Sequence, residues 1–272
     1  MALLPPFFLD CVVAIGDPSG NWIGSGFLFG KLIRKLDDVQ KEYSVYLVSN
    51  KHVFENQTQI RLRFNPQNSD PAKDYSLSLI DDSGKNIWIG HPNKAVDVAI
   101  ISINANLLKK DGMKFHFFES DGHVFTKDNL YTMGTSEGDF IYVLGFPMGI
   151  VSKERQHVTL RGGVISRIRD FFENRSTDFI VDAFVFPGNS GGPVVLKPEL
   201  ISIEGTNPNN SSGLIGIINS YIPYQDVAIS QQTRKPRVIF EENSGLSIVE
   251  PVDYILETID EYEKTKERVE KA

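Results

Sequence analysis

One serine lies among glycines in the segment Pro187-Gly-Asn-Ser-Gly-Gly-Pro193. Glycines on both sides of Ser190 let the backbone fold tightly and turn its N–H groups toward one point. Donors arranged in this way could stabilise the oxyanion that forms when the Ser190 hydroxyl attacks a carbonyl group. A turn between strands is also rich in Gly, Asn and Ser, but a simple hairpin needs fewer glycines. The segment therefore predicts a nucleophilic serine.

A serine hydroxyl is a weak nucleophile near neutral pH and needs a base that a third group orients. Among the five histidines, His52 is the best candidate, because it closely follows the apolar run 45–49. We expect that run to be a strand whose end holds the imidazole rigidly. Asp97 is the candidate for the third group, because it immediately precedes the strongly β-forming run 98–101. Taken alone, His52 could be an ordinary surface histidine, and Asp97 could cap a strand.

The elements that must position these residues are short runs rich in Val, Ile, Phe and Tyr. Several runs fall between residues 11 and 103 and a second set between 140 and 249, with turn-forming clusters between them. Two sets of about six strands predict two barrels or sandwiches. We expect the least periodic stretch, 104–139, to connect them.

The chain changes its pattern after Pro251. Apolar residues then follow helical spacing, at Val252, Ile255, Leu256 and Ile259. We expect a C-terminal helix whose end, from about Glu263, is solvated or frayed. The sequence thus predicts three parts: 1–115 with His52 and Asp97, 116–249 with Ser190, and the helix in 250–272.

Composition narrows the class of protein. The 272 residues are 41% hydrophobic and 23% charged, as in a folded globular protein. A net charge of -7 without a Lys/Arg stripe argues against nucleic acid as a partner. A single cysteine, Cys11, cannot form an internal disulfide, and neither a basic leader nor a membrane-spanning run is visible. We expect a cytoplasmic protein that does not bind a membrane.

Three motifs occur in the order His, Asp, Ser: Leu47-Val-Ser-Asn-Lys-His-Val53, Asp97-Val-Ala-Ile100 and Gly188-Asn-Ser-Gly-Gly-Pro193. Together they resemble the motifs of trypsin-like (chymotrypsin-fold) serine peptidases, most closely the bacterial HtrA/Deg-type branch. Further matches are Gly24–Phe27, Leu144–Gly149, Gly162–Ser166, Leu214–Ile218 and Ser244–Ile248. The resemblance implies an all-β fold with two six-stranded antiparallel β-barrels of chymotrypsin type, followed by the C-terminal α-helix.

The resemblance also implies a mechanism and its residues. Ser190 would attack the peptide carbonyl, His52 would act as general base and then general acid, and Asp97 would hold the imidazole. The backbone amides of Gly188 and Ser190 would form the oxyanion hole. An acyl-enzyme would follow, and no metal or organic cofactor is needed. No His, Cys or Glu cluster has metal-ligand spacing.

In the resembled family, the side chain six residues before the nucleophile lies at the floor of the primary specificity pocket. That position is Phe184 here. The wall would come from Asn219, Ser220 and Tyr221, whose strand would pair with the substrate backbone. An aromatic floor cannot neutralise Lys or Arg, so we expect small or medium aliphatic side chains. The alternative is that Phe184 turns into the core of the second barrel.

The sequence departs from the family at several places. Residue 189 is Asn, whereas animal digestive relatives carry an Asp that pairs with a newly freed N-terminal amine. An Asn cannot make that ion pair, so we expect no zymogen cleavage. Long separations between the triad motifs imply inserted loops near 65–73 and 104–139. The sequence contains no PDZ domain, so activation through one is not expected.

Other functions stay open at this point. A pseudo-protease could retain the fold as a catalytically silent peptide-binding module, although such a chain need not keep all three triad residues. A serine esterase would favour a Gly-x-Ser-x-Gly elbow between a strand and a helix, whereas Ser190 precedes Gly-Gly-Pro. The enzyme could also serve one specific partner system. The expected partner is a protein or peptide substrate, and a homo-oligomer or a regulatory protein partner remains open.

Overall fold

The computed structural model describes residues 4–37, 40–201 and 203–270. Most of the strands lie in two sheets, one in each half of the chain, and a helix follows them. The fold is therefore mostly β with a C-terminal helix, as the sequence predicts. No helix in these described ranges is long and apolar enough to cross a membrane.

The N-terminal half forms an eight-stranded sheet in the order β5-β4-β1-β2-β3-β7-β6, with β8 pairing in parallel with β2. Its strands are β1 Val12–Gly16, β2 Trp22–Lys35, β3 Lys41–Ser49, β4 Gln59–Phe64, β5 Lys73–Ser78, β6 Ile89–Gly90, β7 Ala99–Ser102 and β8 Phe118–Glu119. The paired central strands β2 and β3 each carry a long buried stretch. Such continuous burial indicates that both faces of the sheet are covered there.

Closure of this first sheet differs from the prediction of a six-stranded barrel. The edge strands β5 and β6 form no ladder with each other in the described chain. The turn between them contributes one isolated bridge, from Ile80 to Asn86. β6 has only two residues, and both pair with β7. The sheet thus curves around its own apolar cluster as an open half-barrel.

The C-terminal half forms a closed barrel in the order β10-β11-β14-β13-β12-β9, which confirms the prediction for this half. Its strands are β9 Phe140–Gly145, β10 Thr159–Arg167, β11 Phe179–Asp182, β12 Pro193–Leu196, β13 Gly213–Ile229 and β14 Pro236–Pro251. β13 and β14 are much longer than the sequence runs suggested. Their pairing continues beyond the barrel to Ile229 and Pro236.

Short helices connect the strands: α1 Lys51–Phe54, α2 Ala105–Lys110, α3 Lys127–Met133 and α4 Arg169–Phe172. The connection predicted at 104–139 therefore contains two helices as well as β8. Local sequence explains α3, since Thr126 and Asn129 form a capping box at its start. Gly134 ends it in the left-handed conformation, with φ of 78°.

The C-terminal helix α5, Val252–Glu270, joins the two halves. Its buried residues Val252, Ile255 and Ile259 belong to an apolar cluster that also contains residues of both sheets. Phe27 of β2 and Ile217 of β13 are among them. The two halves are thus packed on one shared core, which fixes their relative position. The helix backbone continues through Glu270, and Lys264, Thr265 and Lys266 are exposed, as expected for a solvated end.

Candidate active site

His52 and Asp97 are hydrogen-bonded across the N-terminal half. His52 lies on the single turn of α1 directly after β3, and Asp97 lies just before β7. The imidazole Nδ1 and the Asp97 Oδ2 are 2.5 Å apart. The other carboxylate oxygen accepts a hydrogen bond from the His52 backbone amide at 3.2 Å. The carboxylate therefore holds the ring by Nδ1 and leaves Nε2 available as a base.

The backbone of Asp97 is held by two further side chains. Its carbonyl oxygen accepts a hydrogen bond from Asn50 Nδ2 at 2.7 Å. Its amide donates to Glu250 Oε1 at 3.1 Å, and the same oxygen accepts from Asn219 Nδ2 at 3.0 Å. Glu250 is only 3% exposed. The sequence did not reveal either role: Glu250 lies in no chemically suggestive motif, and Asn50 lies in the histidine motif without a pattern that indicates its contact.

Burial changes the acidity of Glu250. Loss of hydration raises the pKa of this carboxyl above its usual range, and the negative charges of Asp178 and Asp97 act in the same direction. The hydrogen bonds from Asp97 and Asn219 oppose the rise without cancelling it. A titratable group thus lies directly behind the backbone of the predicted catalytic aspartate.

Ser190 lies beside the helix that carries His52. Its carbonyl oxygen accepts a hydrogen bond from the amide of Ser25 at 2.9 Å. At Gly24, a Cβ would lie 3.0 Å from both methyl carbons of Val53 and 3.4 Å from the Ser190 carbonyl oxygen. Glycine at this position therefore permits the nucleophile segment and α1 to approach. Ser190 Oγ makes no hydrogen bond within the described residues, and catalytic contacts are often loose before substrate binds.

The two amides predicted for the oxyanion hole are the free ones in their loop. Within the part of the chain that the structure describes, the N–H groups of Gly188 and Ser190 have no hydrogen-bond acceptor. The neighbouring amides are used: Asn189 donates to Phe186, Gly191 to Ile218 and Gly192 to Asn189. A loop that leaves two nearby donors free can bind a developing negative charge.

The orientation of Gly188 is fixed from both sides. The preceding carbonyl, of Pro187, accepts a hydrogen bond from Met148 at 2.6 Å. The Gly188 carbonyl accepts from Ser25 Oγ at 2.6 Å, and that hydroxyl in turn accepts from the Phe146 amide at 2.9 Å. Gly188 itself has φ of 97°, a conformation that favours glycine. The carbonyl groups of Pro187 and Gly188 are therefore both held by hydrogen bonds, while the Gly188 N–H has no acceptor among the described residues.

Asn189, which precedes Ser190 in the chain, is fully buried. Its Oδ1 accepts a hydrogen bond from the Phe186 amide at 3.1 Å. Its Nδ2 has no acceptor among the described residues. The side chain therefore holds the loop as a neutral group.

Phe184 lies near the surface and not in the barrel core. Its side chain is 49% exposed, while its neighbours Ala183 and Val185 are buried. A Cβ on Gly245 would lie 3.3 Å from the Phe184 ring. The ring thus covers Gly245 and stays available to a ligand.

The segment predicted as the pocket wall lies on β13 and is partly exposed. The Asn219 side chain turns toward Glu250, so that this residue can meet a substrate only through its backbone. The Tyr221 hydroxyl donates to Glu241 Oε1 at 3.1 Å. In residues 4–37, 40–201 and 203–270, no group of three or more His, Cys, Asp or Glu side chains could hold a metal ion.

A half-barrel sheet, a closed barrel, a hydrogen-bonded His–Asp pair and a serine flanked by glycines are together consistent with a chymotrypsin-like architecture. The family model described as the trypsin-like peptidase domain matches residues 24–199, which is more than half of the chain. The chain therefore belongs to the trypsin-like peptidase domain family. The match contains His52, Asp97 and Ser190 and ends before β13. A comparison with curated proteins found no match.

Proposed function

We propose that the protein is a serine endopeptidase that hydrolyses peptide bonds through His52, Asp97 and Ser190. The observation that carries this proposal is the hydrogen bond between His52 Nδ1 and Asp97 Oδ2. It selects the tautomer in which Nε2 is unprotonated and can accept a proton from a hydroxyl. Membership of the trypsin-like peptidase family supports the same chemistry.

The reaction would follow the triad mechanism for acyl transfer. Ser190 Oγ attacks the substrate carbonyl carbon while its proton passes to His52 Nε2. The amides of Gly188 and Ser190 bind the resulting oxyanion, and Asp97 stabilises the imidazolium. His52 then protonates the leaving amine, which gives an acyl-enzyme. Water, activated by His52, hydrolyses that ester and restores Ser190.

The substrate-binding region follows from the same proposal. The backbone of Asn219–Tyr221 would pair with the residues before the scissile bond. Phe184 would line the pocket for the side chain at that bond, and its apolar ring favours an aliphatic residue over Lys or Arg. Its half-exposed position against Gly245 supports this role.

The finer classification is also a proposal. The motif set favours the bacterial HtrA/Deg-type branch, and a half-barrel beside a closed barrel supports an arrangement of chymotrypsin type. A cytoplasmic location fits the single cysteine, since Cys11 is a free thiol. Burial raises the pKa of the Cys11 thiol, so it is poorly suited to react. We expect Cys11→Ser and added reductant to leave activity unchanged.

A catalytically silent peptide-binding module is the alternative function. It would use the same β13 edge but would not need a hydrogen-bonded His–Asp pair or two free amides beside a serine. The retention of all these features favours turnover.

Labelling with a fluorophosphonate tests the proposed function. The unmodified protein should be labelled at Ser190 and should cleave a quenched peptide library, and Ser190→Ala should lose both activities. His52→Ala should lower turnover by a factor on the order of 10⁴ or more. Ser83→Ala, in an exposed turn, is the matched control. Full cleavage by the Ser190→Ala protein, or none by the unmodified protein, would overturn the proposal.

A further inference from the structure

The hairpin of β13 and β14 projects from the barrel as a two-stranded arm. From the pair Pro223–Asn243 to the pair Ile229–Pro236, these strands pair only with each other in the described chain. Residues 223–229 and 231–242 are all exposed. We refer to residues 223–243 as the arm. It lies outside the region that matches the family model.

The arm exposes large apolar side chains, although a lone hairpin in water is only marginally stable. The exposed fractions range from 41% to 61%. They belong to Tyr224, Val227, Ile229, Val238, Ile239 and Phe240. Several exposed apolar side chains on one projecting element are typical of a binding surface.

One edge of the arm continues the strand edge beside the nucleophile. The β12 ladder with β13 ends at Ile217, and Ile218 then pairs with the loop through Gly191 and Gly192. From Asn219 to Ile229, that edge of β13 has no partner strand among the described residues. At about 3.3 Å per residue it is roughly 33 Å long. A free edge thus begins immediately beside Ser190 and runs outward along the arm.

The side chains of the arm change character with distance from Ser190. Near the cleft, Glu241 accepts hydrogen bonds from Tyr221 and from Gln225, both at 3.1 Å. Farther out, the paired residues Val227 and Ile239 lie on one face. Phe240 and Val238 lie on the opposite face, because their partners Asp226 and Ala228 alternate with Val227. The base of the arm is therefore polar and fixed, and its outer part is apolar on both faces.

We propose that the arm binds an extended, apolar segment of the substrate that precedes the scissile bond, as a continuation of the substrate-binding edge. This inference rests on the proposed peptidase function. A substrate that pairs antiparallel to Asn219–Tyr221 carries its earlier residues outward along β13. The segment opposite Tyr224–Ile229 then meets the apolar outer part. Pro223 lacks an N–H, so pairing there uses only its carbonyl, which an edge strand tolerates.

Continuity of the edge favours a substrate over a second copy of this chain as the occupant. The proposed reaction already requires a peptide strand at Asn219–Tyr221, and the only direction in which its N-terminal side can extend antiparallel is along the arm. Extended apolar segments are exposed in unfolded proteins and hidden in folded ones.

Two peptides with the same cleavage sequence test the inference: one with about four residues before the scissile bond, and one with about twelve that include alternating Val and Ile. In the arm-shortened variant, Asn-Gly replaces Val227–Ile239 and joins Asp226 to Phe240, which already pair, so that Glu241 and its hydrogen bond to Tyr221 remain. We expect kcat/KM for the long peptide to fall at least about tenfold through KM, because several cross-strand contacts are lost. The short peptide should be unaffected.

A milder variant covers the case in which shortening prevents folding. Val227→Asn with Ile239→Asn removes one apolar pair and should raise KM for the long peptide only. Thr233→Ala, in the turn at the tip, is the matched control and should change neither peptide. Equal effects on both peptides, or no effect on either, would overturn the inference. So would an arm-dependent dimer in sedimentation together with unchanged KM for the long peptide.

Binding to the Ser190→Ala protein separates this inference from the proposed function. Fluorescence anisotropy should show tighter binding of the long peptide, and the arm substitutions should remove that difference. Arm-dependent binding without cleavage by the unmodified protein would refute turnover and leave the arm inference standing. Cleavage of both peptides with no arm-dependent binding would refute the inference and leave the peptidase function standing.

Discussion

Glu250 Oε1 accepts a hydrogen bond from the backbone amide of Asp97 across a sequence separation of 153 residues. Glu250 lies near the end of β14, next to the start of α5, whereas Asp97 precedes β7 of the other sheet. The bond therefore ties the orientation of the proposed catalytic aspartate to the C-terminal barrel. Asn219, on the strand proposed to bind substrate, donates to the same oxygen. One buried carboxylate thus connects the triad with the substrate-binding strand.

Removal of this carboxylate should affect both stability and turnover. Glu250→Ala leaves the Asp97 amide and Asn219 Nδ2 without their acceptor in a site that water barely reaches. We expect a loss of about 1–3 kcal/mol in the free energy of unfolding and a lower kcat. Glu250→Gln keeps an oxygen in place and should retain most of the activity. Equal kcat and stability for the two variants would show that the hydrogen bonds to Glu250 do not matter.

The free energy of unfolding should depend on pH through the titration of Glu250. Because its pKa is raised in the folded protein, the folded state holds this proton more tightly than the unfolded state. The stabilisation is complete below the unfolded pKa, near 4.5, and is lost as pH rises through the folded pKa. Glu250→Gln removes this dependence. Denaturant melts between pH 4 and 8 should show the unmodified protein losing stability relative to Glu250→Gln as pH rises; a constant difference would contradict the assignment.

The oxyanion hole should not tolerate a side chain at Gly188. A Cβ there would lie 2.5 Å from the Phe146 carbonyl oxygen, and φ of 97° is strained for alanine. The peptide would have to rotate and misdirect its N–H. We expect Gly188→Ala to lower kcat by about 10²–10³, the usual effect of losing one donor. Gly20→Ala also has positive φ but meets no neighbouring atom within 4 Å, so it controls for backbone strain; similar losses in both variants would reject the role of Gly188.

Local sequence patterns were enough to predict most of the strands and the C-terminal helix, and they singled out His52, Asp97 and Ser190 as candidates. The turn-separated apolar runs correspond to the strands that flank His52, Asp97 and Ser190, and the stripe after Pro251 corresponds to α5. Glu250 could not be predicted in the same way, because its role depends on contacts between distant segments. Its sequence neighbours predict only a strand that ends before a proline.

The arm and the open first sheet were missed for a different reason. The run Tyr224–Ile229 mixes apolar and polar residues and exposes both faces, so it lacks the alternation typical of a half-buried strand. Closure of a barrel depends on the length of the edge strands. With two residues, β6 is too short to produce a recognisable pattern in the sequence. Pairing between strands is a property of the whole sheet.

Asn189 provides a test of whether this protein needs a newly freed N-terminal amine for activity. In the structure it is fully buried, its Oδ1 accepts a hydrogen bond from Phe186, and it forms no ion pair.

Asn189→Asp would place a carboxyl group in the same site. Burial raises the pKa of such a group, so the variant should be close to the unmodified protein at acid pH. It should lose stability as the pH rises above the pKa of an aspartate in the unfolded chain, which is about 3.9. Thermal melts from pH 4 to 8 measure this, with the exposed Asn210→Asp as the matched control. A variant that is more active at neutral pH after N-terminal trimming would show that a freed amine can reach residue 189, contrary to our expectation.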